Sequence, residues 1–392
     1  METQRVEVTD SGISGSVVAA KPVALGATRK REPSRDCHLD LLRAIAILMV
    51  VAYHVAQMSP VSRPHLIAIT RFGKYGVDLF FVLSGWLIGG LYWRELKRFG
   101  DVKLQSFLPR RWIRTIPPYL AALALAWLAV RVNRHEPFDF GYLVFIQNYY
   151  RALPFFLVSW SLCIEEHFYL FLPLGLWIWT RLRIAPHWLF ALLLVAAPVC
   201  RWHASQHGVA DADVFGYAQT ATHLRMEGLI LGFWMAHFPS LSAQRWSMVK
   251  RVSAILFVPA CLLLATLPLY SELMMYRIGL TVLALSLTII LVYLAERSPI
   301  WIARTRTVKW IAVTSYSVYL THALMIHLSR MAMTKAQFLP TVAYFPVALA
   351  LVALGGWMFH LGIERTSLTL RDRWVPRRAP GIGAEALRPK SQ

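Results

Sequence analysis

Arg43 and His54 lie eleven residues apart in one apolar stretch, DLLRAIAILMVVAYHV. Ionisable side chains are costly inside a bilayer, and those that persist there usually serve a function. On a helix of about 3.6 residues per turn this spacing puts both groups on one face, roughly 16 Å apart along the axis. A guanidinium can hold a phosphate. An imidazole an arm's length away can act as a general base. Snorkelling to the headgroups would account for Arg43 alone, but not for a deep His in line with it.

Other strings carry chemistry of the same kind. In PRRWIRTIPPY, Arg111 and Arg114 are three apart and share a helix face, so they could clamp a phosphate or simply anchor a membrane boundary. In GVDLFFVLSGWLIGG, Asp78 is an acid within an apolar run, and Ser84-Gly85 lets another backbone approach. Helix packing explains Gly85 and Gly89 well, and Ser84 lacks the G-x-S-x-G setting of a nucleophile. In SWSLCIEEHFYLF, which begins at Ser159, the consecutive Glu165, Glu166 and His167 point about 100° apart and cannot share one cavity. Their spacing is not H-E-x-x-H, so no metal is expected. THLRMEGLILG offers His223, Arg225 and Glu227, the last two read as an intrahelical ion pair. TSYSVYLTHALMIH places Ser315, Tyr316, Tyr319 and His322 in one apolar segment, where the hydroxyls could serve as interhelical contacts.

The elements that carry these residues are membrane helices. The 392 residues are 57% hydrophobic and 16% charged, with mean hydropathy +0.47. That balance suits a polytopic all-α membrane protein, and no strand-length alternation suggests a barrel. Ten apolar segments are expected, at 39–57, 76–93, 115–130, 158–179, 187–201, 222–238, 252–270, 276–295, 309–328 and 341–362. The net charge of +20 is confined to tails and alternate loops, which argues against nucleic-acid binding. Of the 41 Lys and Arg residues, counting those just inside a segment such as Arg43 with the adjacent tail or loop, 30 belong to the tails and even-numbered loops and 11 to the odd-numbered loops. The positive-inside rule then puts both termini in the cytoplasm. Residues 1–36 read as a disordered basic tail, 37–370 as the membrane-embedded domain and 371–392 as a second disordered basic tail. Four scattered cysteines imply neither a disulfide framework nor a zinc site.

Taken in order, these strings resemble the acyltransferase-3 family of integral-membrane O-acyltransferases of bacterial surface sugars. The resemblance rests on the R-x10-H of Arg43 and His54, FFVLSG at 80–85, and the R-x-x-R of Arg111 and Arg114. Ser159-Trp160-Ser161-Leu162 with Glu165, HLRxxGLxxG from His223, SYSxYLxH to His322, and Ile363-Glu364-Arg365 complete it. It spans about residues 37–370. Glu227 stands where an Asp is usual, and His167 where a Gln is common. The extra periplasmic hydrolase-like domain of many members is expected to be missing.

The resemblance implies transfer of an acyl group, usually acetyl from acetyl-CoA, to a hydroxyl on a glycan, a lipid-linked sugar or a macrolide, with Arg43 and His54 essential. We therefore expect His54 and Arg43 to be catalytic and Arg43, Arg111, Arg114, Ser84 and Gly85 to bind acyl-CoA. Asp78, Trp160, Glu165, His223, Arg225, Tyr319 and His322 are expected to orient the acceptor or support His54. Acyl-CoA is a co-substrate, with no permanently bound cofactor and no metal. The other expected partners are the glycan acceptor and the lipids of the bacterial inner membrane. A succinyl or longer donor suits the same motifs. A carrier or flippase for a glycan intermediate would also bury ionisable groups, but should show two related halves with broken helices, and no such repeat is found.

Overall fold

Helix α1 (Cys37–Gln57) starts where Asp36 accepts hydrogen bonds from the backbone N–H groups of His38 (3.0 Å) and Leu39 (3.4 Å), with Asp40 in its first turn. A side-chain cap and an early acid are what the unpaired N–H groups at a helix N-terminus need. The computed structural model of the chain describes residues 36–59, 64–134, 137–150, 153, 155–181, 186–206, 217–295, 297–335 and 343–376. The expected N-terminal tail, apart from Asp36, and the C-terminal tail from 377 lie outside the described residues.

After α1 come α2 (Pro64–Thr70), α3 (Gly76–Phe99), α4 (Leu104–Arg134), α5 (Trp160–Arg181) and α6 (Pro186–Gln206). Then follow α7 (Tyr217–Thr220), α8 (Glu227–Met235), α9 (Phe238–Leu241), α10 (Ala243–Thr266), α11 (Glu272–Met274) and α12 (Leu280–Leu294). The chain ends in α13 (Arg306–Lys335), α14 (Tyr344–Phe359) and α15 (Arg365–Trp374), the last two joined by a π-helical turn at His360–Glu364. No strand occurs among the described residues.

Eight helical runs among the described residues are long and apolar enough to cross a membrane: Cys37–Gln57, Pro64–Phe99, Leu104–Arg131, His187–Gln206, Ala243–Leu269, Glu272–Leu294, Arg306–Lys335 and Tyr344–Trp374. Two expected segments take other forms. Residues 160–181 form α5, and the segment at 222–238 is broken into a 3-10 turn and the nine-residue α8. Nine residues rise only about 14 Å, too little to cross a bilayer. The outward face is apolar, with Leu48, Ile255, Val258 and Leu262 exposed. A water-facing helix would turn polar side chains there, whereas lipid accepts these.

Two boundaries shift in ways that matter for the site. PRRWIR, expected in a basic loop, is helical because α4 begins at Leu104 and runs through Pro109, Pro117 and Pro118. Packed membrane helices tolerate proline, and Tyr316 Oη of α13 ties down this stretch of α4 by donating to the Thr115 carbonyl at 2.9 Å. Residues 371–374, expected in the C-terminal tail, are the last turn of α15.

Helix α1 packs against both α3 and α13, which makes it the axis of the site. Helix α8 runs alongside α3, with Gly85 against Leu229 and Gly89 against Phe233. A Cβ at Gly85 would overlap the Leu229 carbonyl oxygen, and one at Gly232 would overlap that of Val82. The backbones approach as closely as glycine permits, the small-residue packing expected between membrane helices. Gly85 therefore packs directly against the α8 backbone.

Candidate active site

Arg43, Arg111 and Arg114 converge from α1 and α4 on one cavity of about 100 Å³, which Ser84, Ser161, Glu165, Tyr316 and Tyr319 also line. Three guanidiniums around so small a space make a concentrated positive field, suited to an anion with several acceptor oxygens. The charges of Arg111, Arg43, Glu364 and Arg371 all act on Arg114. Arg43 also pairs with Asp40 at 3.3 Å, one turn back on its own helix.

Arg111 is held from several sides. It lies over the Tyr169 ring, 4.3 Å from the centroid, and donates to Ser84 Oγ at 3.1 Å and to Glu165 Oε2 at 3.5 Å. Tyr169 Oη donates to Glu165 Oε2 at 2.6 Å and is hydrogen-bonded to both Arg111 and Ser84. A cation so oriented is preorganised and loses little side-chain freedom on meeting a ligand.

The divergence expected for Glu165, Glu166 and His167 is what the structure shows. Glu165 faces the cavity, Glu166 accepts from Thr115 Oγ1 at 2.9 Å, and His167 Nδ1 lies 2.6 Å from Thr222 Oγ1.

His54 belongs to a second cavity, of about 520 Å³, walled mainly by apolar side chains of α4, α13, Leu153 and residues 155–158. Its Nδ1 lies 2.9 Å from the Val50 carbonyl oxygen. A carbonyl only accepts, so Nδ1 carries the proton in the neutral ring and Nε2 keeps its lone pair. The His322 ring lies edge-on to it, with centroids 4.9 Å apart. His322 is fully buried, its Nδ1 is 2.7 Å from the Tyr319 carbonyl oxygen, and its Nε2 has no hydrogen-bond partner among the described residues. Tyr319 links the two cavities. It lines the arginine cavity, its hydroxyl lies 2.6 Å from Ser161 Oγ and donates to the Val158 carbonyl of the second cavity's wall at 3.0 Å, and its ring is 5.6 Å from that of His322.

Several expected site residues stand elsewhere. Asp78, expected to support His54, is buried and accepts from Arg225 Nη2 at 3.1 Å. Arg225 in turn lies 5.4 Å from the Trp160 ring centroid. These three form a structural cluster, and Asp78 lines neither cavity. Glu165 serves Arg111 on the arginine side, not His54. His223 is exposed and stacks on Tyr149, with ring centroids 5.9 Å apart. The intrahelical Arg225–Glu227 pair does not form. Glu227 instead holds Arg201 through contacts of 2.6 and 2.7 Å. Arg225 lies in the turn before α8 and Glu227 begins α8, so no shared helix face brings them together, and each meets a partner from elsewhere.

Sequence reasoning missed Tyr169, which could have been found as the i+4 neighbour of Glu165. It also left Glu364 out of the site. This buried carboxylate accepts from Ser317 Oγ at 2.5 Å and lies 2.8 Å from His360 Nδ1. Among the described residues no group of three His, Cys, Asp or Glu side chains converges as metal ligands would.

The model of a family described as an acyltransferase domain, Acyl_transf_3, matches residues 38–361, most of the chain. The chain belongs to the acyltransferase-3 family. Among its curated relatives, "Putative O-acetyltransferase SACOL0978" of Staphylococcus aureus (strain COL) is 32% identical over 152 residues, covering 34% of this chain and 24% of the relative. "Peptidoglycan O-acetyltransferase OatA" of Listeria monocytogenes is 25% identical over 321 residues, covering 75% of this chain and 49% of the relative. The acyltransferase-3 match thus spans about a quarter to a half of the length of these relatives. No solved structure matches. The family match contains both cavities, whose lining residues run from Arg43 to Met331.

Proposed function

We propose that the chain is an inner-membrane O-acyltransferase that moves an acyl group, acetyl foremost, from cytosolic acyl-CoA to a hydroxyl of a cell-surface polysaccharide, lipid-linked sugar or related glycoside. The observation that carries this reading is the arrangement of Arg43, Arg111 and Arg114 around one cavity, joined through Tyr319 and the buried His322 to His54, which lines a second, largely apolar cavity. The names of the relatives agree with it. In this reading α5 and α8 complete ten membrane-embedded segments, and both termini are cytoplasmic. The basic end of the bundle then faces the cytosol, where acyl-CoA is found.

The chemistry follows from the geometry. The three arginines hold donor phosphates, and the pantetheine arm carries the thioester past Tyr319 toward His54. An acceptor hydroxyl reaches His54 from the apolar cavity. His54 Nε2 takes the hydroxyl proton as the oxygen attacks the thioester carbonyl. The C–S bond breaks, the new C–O ester forms, and the CoA thiolate recovers the proton from the imidazolium. The His322 edge fixes the plane of the His54 ring. The alternative, in which Nε2 first accepts the acyl group, uses the same lone pair.

The test is transfer of label from acyl-CoA in native membranes that contain or lack the protein. With acetyl-CoA, an alkali-labile ester on envelope glycan is expected only where the protein is present, and succinyl-CoA should be the poorer donor. Glycan moved across the membrane unmodified would instead establish a carrier.

A further inference from the structure

A third cavity, of about 590 Å³, opens beyond the arginine site and shares Arg111 and Arg114 with it. Its lining carries seven Lys or Arg side chains and one acid, Glu95. Helix α3 forms one continuous wall. Ser84 lines the inner cavity, Ile88 and Leu91 follow, and Arg94, Lys97 and Arg98 stand at the mouth. From Ser84 to Arg98 the helix rises about 21 Å. Facing it, α4 contributes Arg110, Arg111 and Arg114, and α15 contributes Arg371. Asp372 braces two of these, accepting from Arg110 Nη2 at 3.0 Å and from Arg371 at 2.9 Å.

Positive charge is therefore graded along the wall. Arg111 and Arg114 stand at the throat, while Arg94, Lys97 and Arg98 are exposed at the rim. Anchoring at a membrane surface would explain any one of these cations. It does not explain why they ring a cavity that shares Arg111 and Arg114 with the half-buried arginine site. Two anionic groups held a fixed distance apart on one ligand would fit both positions. A phosphate monoester carries about −1.5 to −2 charge at neutral pH and calls for several cations. Phe99 and Phe107 add aromatic surface to the same cavity, on which a base could stack.

Building on the acyl-CoA reading, we infer that this vestibule is a nucleotide subsite. Arg111 and Arg114 grip the pyrophosphate, and Arg94, Lys97 and Arg98 grip the 3′-phosphate of the adenosine end.

The experiment compares acetyl-CoA, 3′-dephospho-acetyl-CoA and acetyl-pantetheine as donors for the full-length protein in membranes. One lost charge-assisted contact is worth about a factor of ten in affinity. The 3′-dephospho donor should thus show a KM raised about tenfold or more, and acetyl-pantetheine a larger rise. In the Arg94→Gln/Lys97→Gln/Arg98→Gln variant the preference for acetyl-CoA over its dephospho form should collapse towards one. Equal KM values for the two CoA donors in the unaltered protein would overturn the subsite and leave these cations to anionic headgroups, with the acyltransferase reading intact. A preference that survives in the triple variant would overturn the assignment of these three residues. Failure of all three donors would overturn the acyl-CoA reading itself, and the subsite with it.

Discussion

Replacing His54 with Ala is expected to lower acyl transfer by about a hundred- to ten-thousandfold, the usual contribution of a positioned general base. Membrane abundance should stay at the level of the unaltered protein. His54 is on a helix face that opens to a cavity, and its own hydrogen bond goes to the Val50 carbonyl, an acceptor already engaged by the helix. Its removal therefore leaves no buried charge behind. His54→Gln keeps much of the volume but offers no titratable nitrogen, so it should lose as much activity as Ala. Rate and abundance measured on the same membranes decide the matter. A normally inserted His54→Ala protein with full activity would remove this residue from the chemistry. If the rate were restored by the Gln variant, the side chain would be acting through shape or hydrogen bonding rather than proton transfer.

The second large effect is on stability and concerns Arg201. This guanidinium is fully buried. It donates to both Glu227 oxygens, to the Leu224 carbonyl at 2.6 Å and to Thr281 Oγ1 at 2.6 Å. It ties the end of α6 to the start of α8 and to the start of α12, and α8 is the helix that Gly85 and Gly232 seat against α3. Arg201→Leu should cost about 3–5 kcal/mol, because Glu227 would be left buried without its counter-charge. The double variant Arg201→Leu/Glu227→Leu should recover much of that loss, since the desolvation of both charges disappears together. Thermal unfolding of both variants in detergent provides the comparison. A single variant as stable as the unaltered protein would mean that the pair contributes little. A double variant no better than the single would mean that the hydrogen bonds to Leu224 and Thr281 carry the stability.

What could be read from the sequence follows a physical division. Properties set by one helix were legible. The Arg43–His54 placement, the shared face of Arg111 and Arg114, and the fan of Glu165, Glu166 and His167 all follow from helical periodicity. Apolar length also located the helices, although the segment at 222–238 forms only the nine-residue α8 after a 3-10 turn. Properties set between helices were not legible. Asp78 finds Arg225 and Glu227 finds Arg201 across sequence separations of 147 and 26 residues. Nothing in the local pattern names those partners. Arg201 in particular ends an apolar stretch, where a lone Arg ordinarily reads as an interface anchor. The separation of the arginine cavity from the histidine cavity also needed the structure, because the linking residues Ser161 and Tyr319 come from different helices.

The central claim is that an acyl group enters at the basic end and leaves as an ester at the other end, through His54. The most direct measurement uses everted native membrane vesicles, with labelled acetyl-CoA supplied only outside. The account predicts alkali-labile label on envelope glycan inside the vesicles, shielded from an added esterase until detergent opens them, and lost in the His54→Ala protein. Label that the esterase removes from intact vesicles, or that forms equally well without His54, would contradict it.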